Sequence, residues 1–238
     1  MRPFCLRIAR FIRTKIVKRW GSSAAKRRVW DSEFASGLWT RLEHTADDPI
    51  YDYLETYANG GNVLDLGCGS GNTGSEMNTS HYTSYTGIDV SSVALRKAES
   101  RVQASDRRTK NAYVRGDLED YVPTETYDVI LFRESLFYVA TGRITAVLDR
   151  YSFYLKNNGV FIVRLCDRRK YGHIVGLIHT RCRVIDQHLA QHTPDIILVF
   201  QPKGVHAAKR ATPVRMCEDE PAAVGVDEGF EPWNSGNR

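Results

Sequence analysis

At 238 residues, with 42% hydrophobic and 26% charged side chains, the chain suits one domain of ordinary size with extensions. A chain of that length buries roughly 70% of its unfolded surface and needs no covalent staples. Five cysteines (Cys5, Cys68, Cys166, Cys182, Cys217) are odd in number and form no C-x-x-C pair, which argues against a zinc site or a disulfide framework and for a reducing compartment.

The net charge of +5 is unevenly spread. Ten of the 33 Lys and Arg fall in residues 1–30, with no acid before Asp31, leaving 23 basic against 28 acidic side chains in the rest. Within this basic arm Phe4, Ile8, Phe11, Ile12, Ile16 and Trp20 recur at helical spacing, an apolar stripe flanked by arginines and interrupted by Lys15 and Arg19. Residues 1–20 therefore suit peripheral contact with an anionic membrane or an acidic partner. A solvated or domain-packed extension, a nucleic-acid arm and an organelle presequence remain open beside it. No apolar run reaches the roughly 18 residues of a spanning helix or the roughly 7 of a signal-peptide core, so the chain is not expected to cross a membrane.

Two amphipathic helices follow. Trp30, Phe34, Leu38, Trp39 and Leu42 carry the first, and Ile50, Tyr53, Leu54 and Tyr57 carry the second, which Asn59-Gly60-Gly61 should stop. Then comes Val63-Leu64-Asp65-Leu66-Gly67-Cys68-Gly69-Ser70-Gly71, an apolar strand breaking into a glycine turn. Glycine has no Cβ and tolerates positive φ, so such a backbone can approach a ligand closely. The dinucleotide fingerprint requires glycine where Asn72 stands, and a phosphate loop requires Lys and Ser/Thr where Ser75 and Glu76 follow Gly74. Neither fits.

The acid-x-Gly-x-Gly-x-Gly run resembles the first motif of the class I S-adenosylmethionine-dependent methyltransferases of small-molecule type. That resemblance implies that Asp65, Gly67, Cys68, Gly69 and Gly71 hold the methionine end of S-adenosyl-L-methionine. Downstream, Tyr85 to Ser91 is a strand ending in Asp89 and Val90, about twenty residues past the glycines. An acid at that strand tip can accept both ribose hydroxyls, and Ser91 is placed to cap the next helix, Ser92 to Ala104. A third strand, Ala112 to Arg115, runs into Gly116-Asp117-Leu118, where the family has an acid for the adenine amino group and an apolar neighbour for the ring. Tyr127 to Phe132 reads as a central buried strand. Arg133-Glu134-Ser135-Leu136-Phe137-Tyr138 then occupies the family's fourth-motif position. Arg133 is matched to the cofactor's methionine carboxylate, and Glu134 or Tyr138 to the proton-accepting role, Glu134 preferred.

Two departures matter. Many small-molecule O-methyltransferases have a histidine where Tyr138 aligns, and the Asn/Asp-Pro-Pro-aromatic run of enzymes that methylate nucleic-acid amines is absent, which speaks against nucleic acid as acceptor. Trp30, Phe34 and Trp39 are open to two readings, core packing or, by resemblance, the lining of the methyl-transfer site.

A helix from Arg143 to Leu155, a fifth strand Val160 to Leu165, a helix Tyr171 to His179 and strands Arg183 to Gln187 and Ile196 to Gln201 complete the pattern. The alternation implies an α/β fold. By resemblance it is a Rossmann-like, doubly wound, seven-stranded, mostly parallel sheet with helices on both faces and the last strand antiparallel beside the fifth. His173, His179, His188 and His192 lack metal-ligand spacing, so no metal is assigned. The organisation expected is a basic arm at 1–30, a methyltransferase domain at 31–203 and a disordered tail at 204–238, whose composition cannot offset chain entropy. The expected activity is methyl transfer to an oxygen or nitrogen of a small, amphiphilic acceptor, in the cytoplasm or peripherally on the inner membrane face, with oligomeric state open. The rival is a non-catalytic scaffold using the arm on membrane or RNA.

Overall fold

In the computed structural model, residues 13–40, 45–103 and 105–203 are described. The arm positions Phe4, Ile8, Phe11 and Ile12, together with Leu42 and the tail 204–238, lie outside them. Residues 13–20 form helix α1. Then follow α2 (Ser23–Ala35), α3 (Ile50–Ala58), β1 (Asn62–Leu66), α4 (Asn72–Glu76), β2 (Ser84–Asp89), α5 (Ser92–Val102), β3 (Asn111–Arg115) and β4 (Tyr127–Arg133). The chain continues through α6 (Ile144–Ser152), β5 (Leu155–Leu165), α7 (Gly172–Arg181), β6 (Cys182–Leu189) and β7 (Ile196–Pro202).

The seven strands form one sheet in the order β3-β2-β1-β4-β5-β7-β6. β1 to β5 pair in parallel, while β7 runs antiparallel between β5 and β6. The expected Rossmann-like sheet, with its last strand inserted beside the fifth, is what forms.

The side-chain period of two along each central strand divides the core between the faces. Leu64, Ile130, Phe132, Phe161 and Leu198 point to one side, where Leu148 and Tyr151 of α6 and Ile174 and Ile178 of α7 cover them. Val63, Val129, Leu131, Ile162 and Val199 point to the other, under Ile50, Leu54 and Ala58 of α3. A strand apolar on both faces can exist only between two such layers, which is why β1 and β4 read as continuous hydrophobic runs.

α3 ends as expected, with Asn59 and Gly60 both in the left-handed region at φ 43° and 79°. Ser91 caps α5, its side chain accepting from the Ala94 N–H. Two boundaries differ most. α2 begins at Ser23, capped by the Ser22 hydroxyl, and ends at Ala35, so the helix expected around Trp30 starts inside the basic arm and stops before Trp39. β5 begins at Leu155 and takes in Asn157-Asn158-Gly159, with a register shift between Tyr127 and Val129 of β4 absorbing the irregularity.

Candidate active site

Because the first five strands are parallel, their C-terminal ends open onto the same edge of the sheet, the usual crevice of open α/β folds. There the chain places the glycine turn after β1, Asp89 at the end of β2, Asp117 after β3, Arg133 and Glu134 at the end of β4, and Arg164 with Cys166 at the end of β5. They surround a cavity of about 510 Å³. Of the sequence-predicted residues, Asp65, Gly67, Cys68, Gly69, Asp89, Val90, Asp117, Leu118, Arg133, Glu134 and Tyr138 line it.

Gly71 does not. Its φ of 77° and a would-be Cβ only 2.5 Å from the Ala98 Cβ make it a packing glycine, there so that the turn can lie against α5. Gly67 (φ 86°) is the tight point of the turn, where a Cβ would stand 2.5 Å from the Ser135 Cβ. Its N–H and that of Cys68 donate to the Ile88 carbonyl at 2.8 and 3.0 Å, fastening the turn to β2.

Asp89 joins turn and strand tip. Its Oδ2 accepts from the Gly69 N–H at 2.9 Å and its Oδ1 from the Ser91 N–H at 2.8 Å, fixing the carboxylate and leaving each oxygen lone-pair capacity for a ligand hydroxyl. Burial raises its pKa to about 6, with Asp65 and Asp31 adding to the rise and the two backbone bonds opposing it. Asp65 is buried beneath the turn and accepts from the Tyr85 hydroxyl at 2.7 Å. Cys68 is also buried, and burial pushes its thiol well above the ordinary range, so it packs as an inert thiol.

At the far side Arg133 donates to Asp48 Oδ2 at 2.9 Å and to the Tyr51 hydroxyl at 2.8 Å. Glu134 has φ 55°, an uncommon strained conformation for a non-glycine residue. Its Oε1 is ion-paired with Arg164, which also meets Asp195 at 3.0 Å and Asp48 at 3.3 Å. Tyr138 stands edge-on to Trp30, with centroids 4.9 Å apart. Its phenol is raised far above the ordinary range by burial, reinforced by Tyr171, Glu33 and Glu134, so at neutral pH it is a donor and a wall.

The largest surprise is the cover. Lys26, within the basic arm, is buried on α2 and donates to Asp117 Oδ2 at 2.9 Å and Glu119 Oε1 at 2.6 Å. Ser23 adds a bond to the same Asp117 oxygen at 3.0 Å. The acid matched to the adenine amino group is thus engaged by the helical cover here. Asp31, also on α2, accepts from the Ser91 hydroxyl at 2.7 Å and the Val93 N–H at 3.0 Å, tying the cover to α5. Trp30, Phe34 and Trp39 line the cavity, with Phe34 3.5 Å from where a Gly69 Cβ would lie. Sequence reasoning missed Lys18, Lys26, Asp31, Glu33, Asp48 and Arg164. One signal was present: Lys26, Trp30 and Phe34 recur every four residues and so share one helix face.

Among the described residues, no group of three His, Cys, Asp or Glu could hold a metal ion, and no helix is long and apolar enough to cross a membrane.

A glycine turn at the first strand, an acid at the second strand's tip and this strand order together define the fold of the class I S-adenosylmethionine-dependent methyltransferases. Residues 63–159 match the family model described as "Methyltransferase domain". No curated protein matches the chain significantly in sequence. Among solved structures, the N-methyltransferase NodS from Bradyrhizobium japonicum in complex with S-adenosyl-L-homocysteine superposes with TM-score 0.60 and 16% identity, over 74% of this chain and 98% of that one. An S-adenosylmethionine-dependent methyltransferase from Clostridium acetobutylicum gives 0.56 and 16%, over 73% and 99%. The glycopeptide N-methyltransferase MtfA complexed with sinefungin gives 0.58 and 13%, over 67% and 87%. At such identities the likeness concerns the fold.

Proposed function

We propose that this chain transfers a methyl group from S-adenosylmethionine to a nitrogen or oxygen of a small-molecule acceptor. One observation carries the reading: Asp89 closes onto the Gly69 N–H across the mouth of β1 and β2, keeping lone pairs toward the cavity. The donor set fits the cofactor's chemistry. Six carboxylates (Asp48, Asp65, Asp89, Asp117, Glu119, Glu134) against four cations (Lys18, Lys26, Arg133, Arg164) line a cavity suited to a ligand carrying a sulfonium, an ammonium and one carboxylate.

In this reading Gly67, Cys68 and Gly69 cradle the methionine end beside Asp65, Arg133 meets its carboxylate, Asp89 takes the ribose hydroxyls with Val90 beside them, and Asp117 with Leu118 receives the adenine. When bound, the cofactor supplies an electrophilic methyl on a neutral leaving group. The protein's work is then to align the acceptor and exclude water, an effect that reaches roughly 7–11 kcal/mol in well-oriented systems. Trp30, Phe34, Trp39 and Tyr138 do the excluding. Glu134, ion-paired with Arg164, holds the far wall. The N-methyltransferases among the similar structures favour nitrogen over oxygen as acceptor atom.

The domain carries this chemistry together with the cover from α1 and α2, so its working part begins before residue 31, and we assign none to 204–238. A peripheral role for the basic segment has its own support: Ile16 and Trp20 on α1 are 56% and 66% exposed beside Lys15 and Arg19. They suit insertion at an anionic lipid surface on the cytoplasmic side, bringing an amphiphilic acceptor to the cavity. Incubation with methyl-labelled cofactor and a panel of amines and hydroxy compounds tests the activity. Labelled product from a nitrogen acceptor is expected. Binding of the cofactor without transfer to any acceptor or cell extract would favour a scaffold.

A further inference from the structure

The ammonium of Lys18 sits inside a box of aromatic rings. Its Nζ lies 3.6 Å from the Trp30 ring centroid, 5.3 Å from that of Trp39 and 5.6 Å from that of Tyr138. The fourth side is a carboxylate: Glu33 Oε2 is 2.6 Å from Nζ and also accepts the Trp39 indole N–H at 3.0 Å, so Glu33 both neutralises the cation and orients a wall of the box. All three rings line the cavity beside the glycine turn, and Lys18 is itself buried and lines it.

We propose that this box is the acceptor subsite, that it takes an alkylammonium group, and that Lys18 occupies it here as a tethered stand-in. The proposal rests on the methyl-transfer reading and names its substrate class: a primary or secondary alkylamine. Three faces of π-density with one carboxylate select a cation, since a desolvated ammonium over indole faces is held by the ring quadrupole and a neutral isostere is not. The charge balance of the cavity agrees. Its strand-tip wall is acidic, and the cations nearest the box and Asp117 come from the cover, so withdrawing Lys18 leaves a cation-shaped vacancy beside Glu33. Burial also lowers the pKa of Lys18 against the opposing pull of Glu33, the change an amine needs before its lone pair is free. In the transfer step the bound ammonium first gives a proton to water through Glu33. The amine lone pair then forms the N–CH3 bond as the S–CH3 bond breaks, the positive charge passing from sulfur to nitrogen and the thioether leaving.

The test needs no turnover. Lys18→Ala vacates the box, and titration with n-butylammonium chloride at constant ionic strength is followed by tryptophan fluorescence, with n-pentanol as the neutral control. Saturable quenching at least about tenfold tighter than in the native chain, absent for the alcohol and absent when Trp30→Ala is added, is expected. A folded Lys18→Ala chain that binds neither compound, or both alike, overturns the proposal. The native chain gives a second test independent of that variant's folding. Saturating n-butyltrimethylammonium, which has no N–H for the reagent to acylate, should expel Lys18 and raise its acetylation by acetic anhydride several-fold by peptide mass, and unchanged labelling would also overturn the proposal. Calorimetry with S-adenosylmethionine on the native chain separates the two levels. Cofactor binding without ammonium binding defeats only the subsite, whereas failure to bind cofactor defeats the methyltransferase reading beneath it.

Discussion

The two walls of the cavity are built on different principles. The strand-tip wall, from Gly67 to Arg164, is set by backbone: glycines at positive φ, turn amides donating to Ile88 and Asp89, and strand ends in parallel register. The helical cover, α1 and α2, is set by long side chains: Lys18 of α1 pairs with Glu33 of α2 within the cover, and Lys26 of α2 reaches Asp117 and Glu119 beyond it. A wall made of backbone conformation accepts few residue types at each position. A wall made of lysines pairing with carboxylates far along the chain imposes no local pattern at all.

That contrast can be broken at either wall. The largest effect is expected from Gly67→Val, which forces a β-branched residue to φ 86° and against Ser135. Strain and overpacking together should cost on the order of 3 kcal/mol or more in denaturant unfolding. Cofactor binding should also disappear from calorimetry, and normal binding by this variant would refute the backbone account of the turn.

Next comes the cover. Lys26→Met keeps the stem but removes the charge, leaving Asp117 to the Ser23 hydroxyl and the Glu119 N–H, and Glu119 to Arg143 at 2.9 Å. Breaking a buried pair in this way should lower stability by about 2–4 kcal/mol in urea melts. A loss below about 0.5 kcal/mol would mean that Lys26 is merely a surface charge.

A smaller effect concerns pH. Asp89 serves a ligand as its carboxylate, and burial puts its pKa at about 6 before binding. Affinity for the cofactor should therefore be level above pH 7 and fall as pH drops through 6, by at most about tenfold per unit until the lower pKa of the bound state is passed. Calorimetry from pH 5 to 8 reads this, and affinity that rises on acidification would contradict the assignment. The smallest effect is expected at the outer face of the cover. Trp20→Glu should weaken co-sedimentation with anionic vesicles several-fold at low salt while leaving stability unchanged.

The same contrast explains what the sequence disclosed. The strands themselves, the turn at Gly67 and Gly69 and the acid Asp89 were legible because each depends on a local pattern of apolar runs, glycine spacing or an acid at a strand tip, whereas the strand order, the antiparallel β7 and the place of Asp117 came through the family resemblance that those patterns carry. Gly71 was legible as a glycine but not in its role, since only packing against Ala98 distinguishes a turn that approaches a ligand from one that approaches a helix. Lys26 and Lys18 were read as arm charges because a lysine's burial is decided by partners such as Asp117 and Glu33, separated from it by 91 and 15 residues. Ser22 as a cap and Lys26 at helical spacing from Trp30 were the local clues that α2 begins within the basic run. Glu134 was legible by its motif position, but nothing local announced its left-handed backbone, whose N–H donates to the Arg164 carbonyl across to β5.

The central claim is that Asp89 and the glycine turn form one cofactor site, and calorimetric titration of S-adenosylmethionine into the native chain and into Asp89→Ala tests it most directly. One-to-one binding by the native chain is expected, weakened by about 1.5–3 kcal/mol in the variant, the scale of hydrogen bonds lost to a charged group, with the domain still folded by circular dichroism. No heat from the native chain, or equal affinity in a folded Asp89→Ala, would contradict it.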